Sequence, residues 1–302
     1  MPNIKASKEE KEVLETYLLQ FLNVEKRYPL LPGIRNTESM AGLMGLEEDE
    51  LKEIRTKFDE NAKQAALELL EEENIAEWID QIPFESDDTI VALGDSITDD
   101  LQSWFSILGY ALDMTVQEAN FTFVNSGISY DTSTDAIRRL NRDLVAHEPD
   151  WVIVGLGTFD ALRMNLTPDR SLVPLAEYWE NTNAIEDVVA ELTDNPIIWL
   201  TPPPVLSEML EDFRLLNFNV YNEDLLKYRE ILTGKKGYIV DPRGSRMGED
   251  KPEAWNYLND GLHPSLSGHS NTVRELLKVL AETERKEGAQ FEPPKDFDLN
   301  DQ

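Results

Sequence analysis

Apolar residues recur at helical spacing over the first part of the chain and then change to short unbroken runs. Leu14, Tyr17, Leu18, Phe21 and Leu22 fall on one helical face, and Leu51, Ile54, Phe58, Ala62, Ala65 and Leu69 fall on a second. Pro29, Pro32 and Gly33 break the chain between them. After Pro83 the period is different. Residues 89–93, 121–124, 151–154, 196–200 and 237–240 are continuous apolar runs, the pattern of strands covered on both faces, as in a parallel sheet. The intervening segments are long enough for crossover helices; in 131–147, for example, Ile137, Leu140 and Leu144 lie along one face. The alternation predicts an α/β fold, a three-layer α/β/α sandwich of about five parallel strands with an N-terminal helical extension.

Three segments are expected: a helical extension over 1–85, an α/β domain over 86–286 and an acidic polar tail over 287–302. A final helix through Val273, Leu276, Leu277 and Leu280 closes the α/β part. The apolar faces before Pro83 leave two uses open, packing on the main domain or contact with a partner such as a second copy in a homodimer. Nothing in that region has the composition of a catalytic site.

Charge narrows the function classes. Against 28 Lys and Arg stand 59 Asp and Glu, a net charge of −31. Such a field repels phosphate backbones and anionic lipid surfaces, which argues against nucleic-acid partners. It serves solubility, or life at high salt, where counterions screen the self-repulsion. With no cysteine in the sequence, disulfides, a thiolate nucleophile and thiolate metal ligands are excluded. The first ten residues lack the apolar stretch of a signal peptide and no run reaches the length of a membrane span, so a cytoplasmic location is the expectation.

In a parallel sheet, ligands sit beyond the carboxyl ends of the strands. The residues leaving those ends are Gly94-Asp95-Ser96, Asn125-Ser126-Gly127 and Gly157-Thr158-Phe159-Asp160, and after the last strand comes Asn259-Asp260-Gly261-Leu262-His263-Pro264. A serine nucleophile needs a base, and the base an orienting carboxylate. Of three histidines, His147 lies in the segment leading into the third strand, at the opposite end of the sheet, and His269 reads as an exposed polar residue at the start of the last helix. His263 has Asp260 three residues before it in a turn tightened by Gly261, a spacing that lets a carboxylate reach Nδ1. The same residues also suit an ordinary turn with a surface histidine. Ser96-Ile97-Thr98-Asp99 likewise fits a capping box opening a helix through Leu101, Trp104, Phe105 and Leu108. Two rival chemistries are weak. Gly155-Leu156-Gly157 lacks the third glycine of a dinucleotide loop, and Asp99 and Asp100, which with Asp95, Asp260 and His263 suggest a metal site, are accounted for by a helix dipole. No metal or cofactor is expected.

In order and spacing, Gly94-Asp95-Ser96-Ile97-Thr98, Gly127, Gly157-Thr158-Phe159-Asp160 and Asp260-Gly261-Leu262-His263-Pro264 together resemble the SGNH (GDSL) hydrolase family, over residues 89–282. The resemblance implies a flavodoxin-like sheet and a lipase- or esterase-like serine hydrolase that cleaves carboxylic esters through an acyl-enzyme. It makes Ser96 the nucleophile, His263 the general base and Asp260 its orienting partner, with the N–H groups of Ser96 and Gly127 in the oxyanion hole. Its third oxyanion donor is an asparagine in a Gly-x-Asn-Asp block, and here that position is Phe159. One such donor contributes about 2.7–4 kcal/mol to transition-state stabilisation. Either another group, such as Asn125, substitutes for it, or the chain is a weakened or inactive ligand-binding or scaffold protein; an acyltransferase is a further alternative. The implied substrate is a small-molecule, acylated-carbohydrate or lipid ester. Trp104, Tyr110, Tyr130, Phe159 and Trp255 are available to line its cleft or to fill the core.

Overall fold

Among the described residues seven strands form, and five of them are the apolar runs: β1 (Thr89–Gly94), β2 (Thr122–Gly127), β3 (Trp151–Gly155), β5 (Ile198–Leu200) and β7 (Tyr238–Val240). They pair in parallel in the order β2-β1-β3-β5-β7. The computed structural model describes residues 7–8, 11, 14–21, 23–212, 218–244 and 252–282; Leu22 and the tail 287–302 lie outside the described residues. The remaining strands, β4 (Arg163–Met164) and β6 (Phe218–Asn219), make a small antiparallel ribbon that the sequence did not announce. Two residues are too few to carry a period.

Strand side chains alternate between two apolar layers. Ile90, Ala92, Ile153, Ile198 and Val240 face the helices Trp104–Thr115 and Leu266–Glu282, whereas Val91, Leu93, Val152, Val154 and Trp199 face the helices Ser133–Asp143, Leu175–Ala190 and Asn222–Thr233. The sandwich is therefore the three-layer α/β/α arrangement expected from unbroken apolar runs. The first layer also takes in Ala62, Ala65, Ala66 and Leu69 of the long helix Glu48–Leu70, whose small residues let it approach Trp104–Thr115. Leu51 and Phe58 of the same helix are buried with Leu19, Ile34, Met40 and Ala41. Of the two uses left open for these apolar faces, packing on the main domain is the one seen for the described residues of the long helix. Among the described residues no helix is long and apolar enough to cross a membrane.

Across the carboxyl ends of β1, β2 and β3, Gly94 is in register with Gly127 on one side and Gly155 on the other. This row of glycines is the floor on which the next turn rests. A Cβ on Gly94 would lie 2.2 Å from Thr98 Oγ1, and one on Gly127 would lie 2.6 Å from the Asp99 nitrogen. The chain needs glycine here because the Thr98 side chain rests on Gly94 and the Thr98–Asp99 backbone on Gly127.

The helix expected from Ser96 to Leu108 is broken in two, Ser96–Asp99 and Trp104–Thr115. Asp100 causes the break. Its backbone leaves the helical region at ψ 127°, and its Oδ1 accepts the Gln102 N–H at 2.8 Å, which closes a turn between the two helices.

Candidate active site

Ser96 leaves the end of β1 on the short helix Ser96–Asp99, directly over the glycine row. It does not cap that helix, as its capping-box pattern suggested. Asp95 holds the cap position and accepts the Ile97 N–H at 2.9 Å, which leaves the Ser96 hydroxyl for another contact. That contact is the Tyr130 N–H, donated to Ser96 Oγ at 2.8 Å. Tyr130 presents its amide from a left-handed backbone conformation, φ 65°, which costs a non-glycine residue about 1–2 kcal/mol. Its loop is clamped on several sides to hold it there. Ser129 donates its N–H to Asp99 Oδ2 (2.8 Å), and Asp131 is held by Arg139 Nε and by Arg27, each at 2.7 Å.

The Gly127 amide is placed differently from the expectation. It donates to Asn125 Oδ1 at 2.9 Å, and the residue is glycine because of the turn pressed against it. Asn125 is engaged locally as well, its amide nitrogen donating to the Thr98 carbonyl oxygen at 2.7 Å.

Asp260 and His263 meet in a buried pair. Asp260 Oδ2 lies 2.6 Å from His263 Nδ1, while Oδ1 accepts the N–H groups of Leu262 and His263, both at 2.9 Å. Gly261 takes the left-handed conformation the turn requires, φ 67°, and a Cβ there would strike the Leu206 carbonyl oxygen. Burial alone would raise the Asp260 pKa, but the charge of His263 and the hydrogen bonds it receives lower it. Burial alone would lower that of His263, but the Asp260 carboxylate raises it above the usual histidine value. The two shifts agree: the pair favours aspartate with imidazolium. This is the electrostatic requirement for a base that becomes cationic during reaction. The other ring nitrogen, Nε2, is buried and has no hydrogen-bond partner among the described residues.

Aromatic rings join the two halves of the site. Tyr130 meets Phe159 edge-on at 5.5 Å, and Phe159, fully buried, lies 6.1 Å from the His263 ring. The remaining aromatic candidates stand elsewhere. Trp104 is core, Tyr110 donates to Asp59, and Trp255 stands exposed beside a groove of about 760 Å³ between the helices Glu48–Leu70 and Leu266–Glu282.

Several contributing residues escaped the sequence reading. Arg139, buried, donates to the carbonyl oxygens of Gly94 (2.9 Å) and Ser126 (2.6 Å), tying the ends of β1 and β2 together beneath the site. His269 is not exposed; it is buried with Nε2 3.1 Å from Asp100 Oδ2. Asp99 and Asp100, ascribed to a helix dipole, are buried acceptors for the N-terminal segment. Asp99 takes Asn23 and Lys26 at 2.7 Å each, and Asp100 takes Gln20 at 2.8 Å. From that segment Phe21 lies against His263, ring centroids 4.3 Å apart. Only the polar spacing of Gln20, Asn23 and Lys26 within an apolar stripe hinted at this. Among the described residues no group of three or more His, Asp or Glu side chains is arranged to hold a metal ion.

Burial pushes the Asp95 carboxyl up to about 8, with the Ile97 N–H lowering it and Asp160 raising it, and burial pushes Asp160 up to about 7 despite its bonds from Ser133. A carboxyl with a raised folded pKa binds its proton more tightly in the native state, so its contribution to stability falls as pH rises from about 4 to about 8. Asparagine keeps the acceptor and carries no charge. Relative to wild type, Asp95→Asn should therefore gain stability with increasing pH over that window, by up to about 1 kcal/mol per pH unit. Urea melts at pH 5 and pH 8 measure it; a constant difference would mean Asp95 titrates normally.

Comparison with known proteins places these features in context. The profile of the GDSL-like lipase/acylhydrolase family matches residues 92–270. Thioesterase 1/protease 1/lysophospholipase L1 of Escherichia coli (strain K12) is 38% identical over 76 residues, 25% of this chain and 36% of the relative, so the match spans about a third of that protein's length. Acetylxylan esterase of Geobacillus stearothermophilus is 26% identical over 214 residues, 65% of this chain and 94% of the relative. Among solved structures, a mutant of Axe2, an acetyl-xylooligosaccharide esterase of Geobacillus, superposes with a TM-score of 0.52 at 21% identity, covering 65% of this chain and 95% of the other. LAE5, an alpha/beta hydrolase enzyme from the metagenome of Lake Arreo, gives 0.51 at 22% identity, covering 65% and 96%. At these identities the superpositions speak for the fold.

Proposed function

The chain belongs to the GDSL-like lipase/acylhydrolase family, and on that footing we propose that it hydrolyses carboxylic esters by two-step acyl transfer through Ser96. The observation that carries this reading is the buried Asp260–His263 pair at 2.6 Å, with Nε2 left unpartnered in the aromatic enclosure that Tyr130 and Phe159 share with it. A buried ring nitrogen without a partner is costly unless it has work to do.

In the proposed reaction Ser96 Oγ attacks the ester carbonyl carbon as its proton passes to His263 Nε2. Asp260 stabilises the imidazolium that results and keeps the ring in one orientation. The carbonyl oxygen, now an anion, is held by the N–H of Ser96, at the start of a helix whose first amides lack internal acceptors, and by the N–H of Tyr130. Tyr130 takes the role first assigned to Gly127, because its amide is the one that reaches Ser96. The imidazolium returns the proton to the departing alkoxide, and a water activated by neutral His263 releases the acid.

For substrate class we favour an ester with a small acyl group on a carbohydrate. An acetylxylan esterase is a relative matched over nearly its whole length. A second reading, a catalytically weakened enzyme, is favoured by Phe159 itself, since two amides remain where the family pattern has three donors.

The test is steady-state hydrolysis of p-nitrophenyl acetate and of acetylated xylo-oligosaccharide across pH. His263 must be neutral to act as base, and Asp260 raises its pKa, so kcat/KM should rise with pH and reach half its plateau above the value of an ordinary histidine. No turnover of either ester by the folded protein would refute the reading.

A further inference from the structure

The residues assigned to the reaction are shut away. Ser96 has 0% of its surface exposed, His263 3% and Asp260 2%, and His263 Nε2 touches neither solvent nor a hydrogen-bond partner among the described residues. No carbonyl carbon can approach Ser96 Oγ in this arrangement.

The closing contact comes from the N-terminal segment. The Phe21 ring, itself 2% exposed, lies tilted against the His263 ring at 4.3 Å. The chain is fastened on both sides of it. Before Phe21, the Gln20 side chain donates to Asp100 Oδ2 at 2.8 Å, and the Gln20 carbonyl oxygen accepts the Leu101 N–H at 3.0 Å. After it, Asn23 Nδ2 donates to the Asp99 carbonyl oxygen at 2.8 Å and to Asp99 Oδ1 at 2.7 Å, and Lys26 Nζ lies 2.7 Å from the same Oδ1. The Ser129 hydroxyl donates to the Phe21 carbonyl oxygen. These anchors have a common direction. Asp99 ends the short helix that Ser96 begins, Asp100 follows it, and Ser129 precedes the residue whose amide meets Ser96 Oγ.

We propose that Phe21 is the gating residue of this site: residues 19–21 and 23–27 close over Ser96 and His263, and a substrate reaches the nucleophile only when Phe21 leaves the His263 ring. The observed rate is then the open-state rate multiplied by the open fraction, so anything that weakens the closed state speeds the reaction without new chemistry. The consequence for turnover rests on the hydrolase reading. The gate itself can be tested without it.

Because the sequence has no cysteine, Ser96→Cys places a single thiol at the buried position. Its rate of alkylation by iodoacetamide, an uncharged reagent that the protein's negative field does not repel, reports opening whether or not the protein hydrolyses anything. Adding Phe21→Ala should accelerate alkylation at least tenfold, and Gln20→Ala or Asn23→Ala, which loosen the anchors and leave the ring in place, should move it the same way. With Ser96 intact, Phe21→Ala should raise the rate of fluorophosphonate labelling by a similar factor. Equal alkylation rates with and without Phe21, in proteins of native circular dichroism, would overturn the gate. Accelerated alkylation without fluorophosphonate labelling of any variant would uphold the gate and overturn the hydrolase reading. Should Phe21→Ala not fold, the two anchor variants decide alone, and unchanged alkylation in both overturns the proposal.

Discussion

Ser96→Ala should remove ester hydrolysis almost entirely, a fall on the order of 10⁶-fold in kcat, as expected when the nucleophile of a cooperating set is deleted. Fluorophosphonate labelling should vanish with it. The structure adds a secondary effect. Ser96 Oγ accepts the Tyr130 N–H at 2.8 Å in a site closed to water, so alanine leaves that amide without an acceptor, at a cost of about 1–3 kcal/mol. The variant should melt a few degrees lower and still fold. Labelling together with a thermal melt separates the two effects, and hydrolysis surviving in a folded Ser96→Ala protein would place the nucleophile elsewhere.

Phe159→Asn should act in the opposite direction on rate and more severely on stability. The Phe159 side chain is fully buried between Tyr130 and His263, and replacing a packed ring of this size by a smaller residue costs about 3–5 kcal/mol. In return the asparagine amide would offer the oxyanion a third donor, worth about 10²–10³ in kcat. The gain should fall on kcat with little change in KM, because the new hydrogen bond forms only as charge develops. Phe159→Leu is the control: it opens space and adds no donor, so it should not raise kcat. If both variants were equally fast, relief of crowding would explain the gain; if the folded asparagine variant were no faster, the missing donor would not limit the enzyme.

Residues close in sequence and sharing one physical signal were legible before any coordinates. The five long strands fall within a few residues of the apolar runs because burial on both faces leaves no room for polar interruptions. Asp260 and His263 were legible for a similar reason, being three residues apart in one turn. The amide that meets Ser96 was not. A glycine can be required by close approach or by an exposed amide, and letters do not distinguish the two; Gly127 answers the first need, and the amide bonded to Ser96 Oγ is that of Tyr130, with its left-handed backbone. His269 was misread because its partner Asp100 is 169 residues away. The roles of Gln20, Phe21 and Asn23 escaped for the same cause, since the side chains they meet, Asp100, His263 and Asp99, lie far along the chain. The break after Asp99 was invisible because Asp100 is engaged from three directions, by Gln102, Gln20 and His269, and none of those contacts follows a helical period.

Asp100 also orders the assembly of the molecule in time. Its Oδ2 is shared by Gln20, from the N-terminal segment, and His269, from the helix Leu266–Glu282. On a chain emerging from the ribosome, the sheet strands β1, β2 and β3 can pair long before residue 269 exists, so the turn from Ser96 to Asp100 can form before His269 reaches its carboxylate. When the helix Leu266–Glu282 docks, His269 comes to the same oxygen that receives Gln20, so one carboxylate fastens both the closing helix and the N-terminal segment.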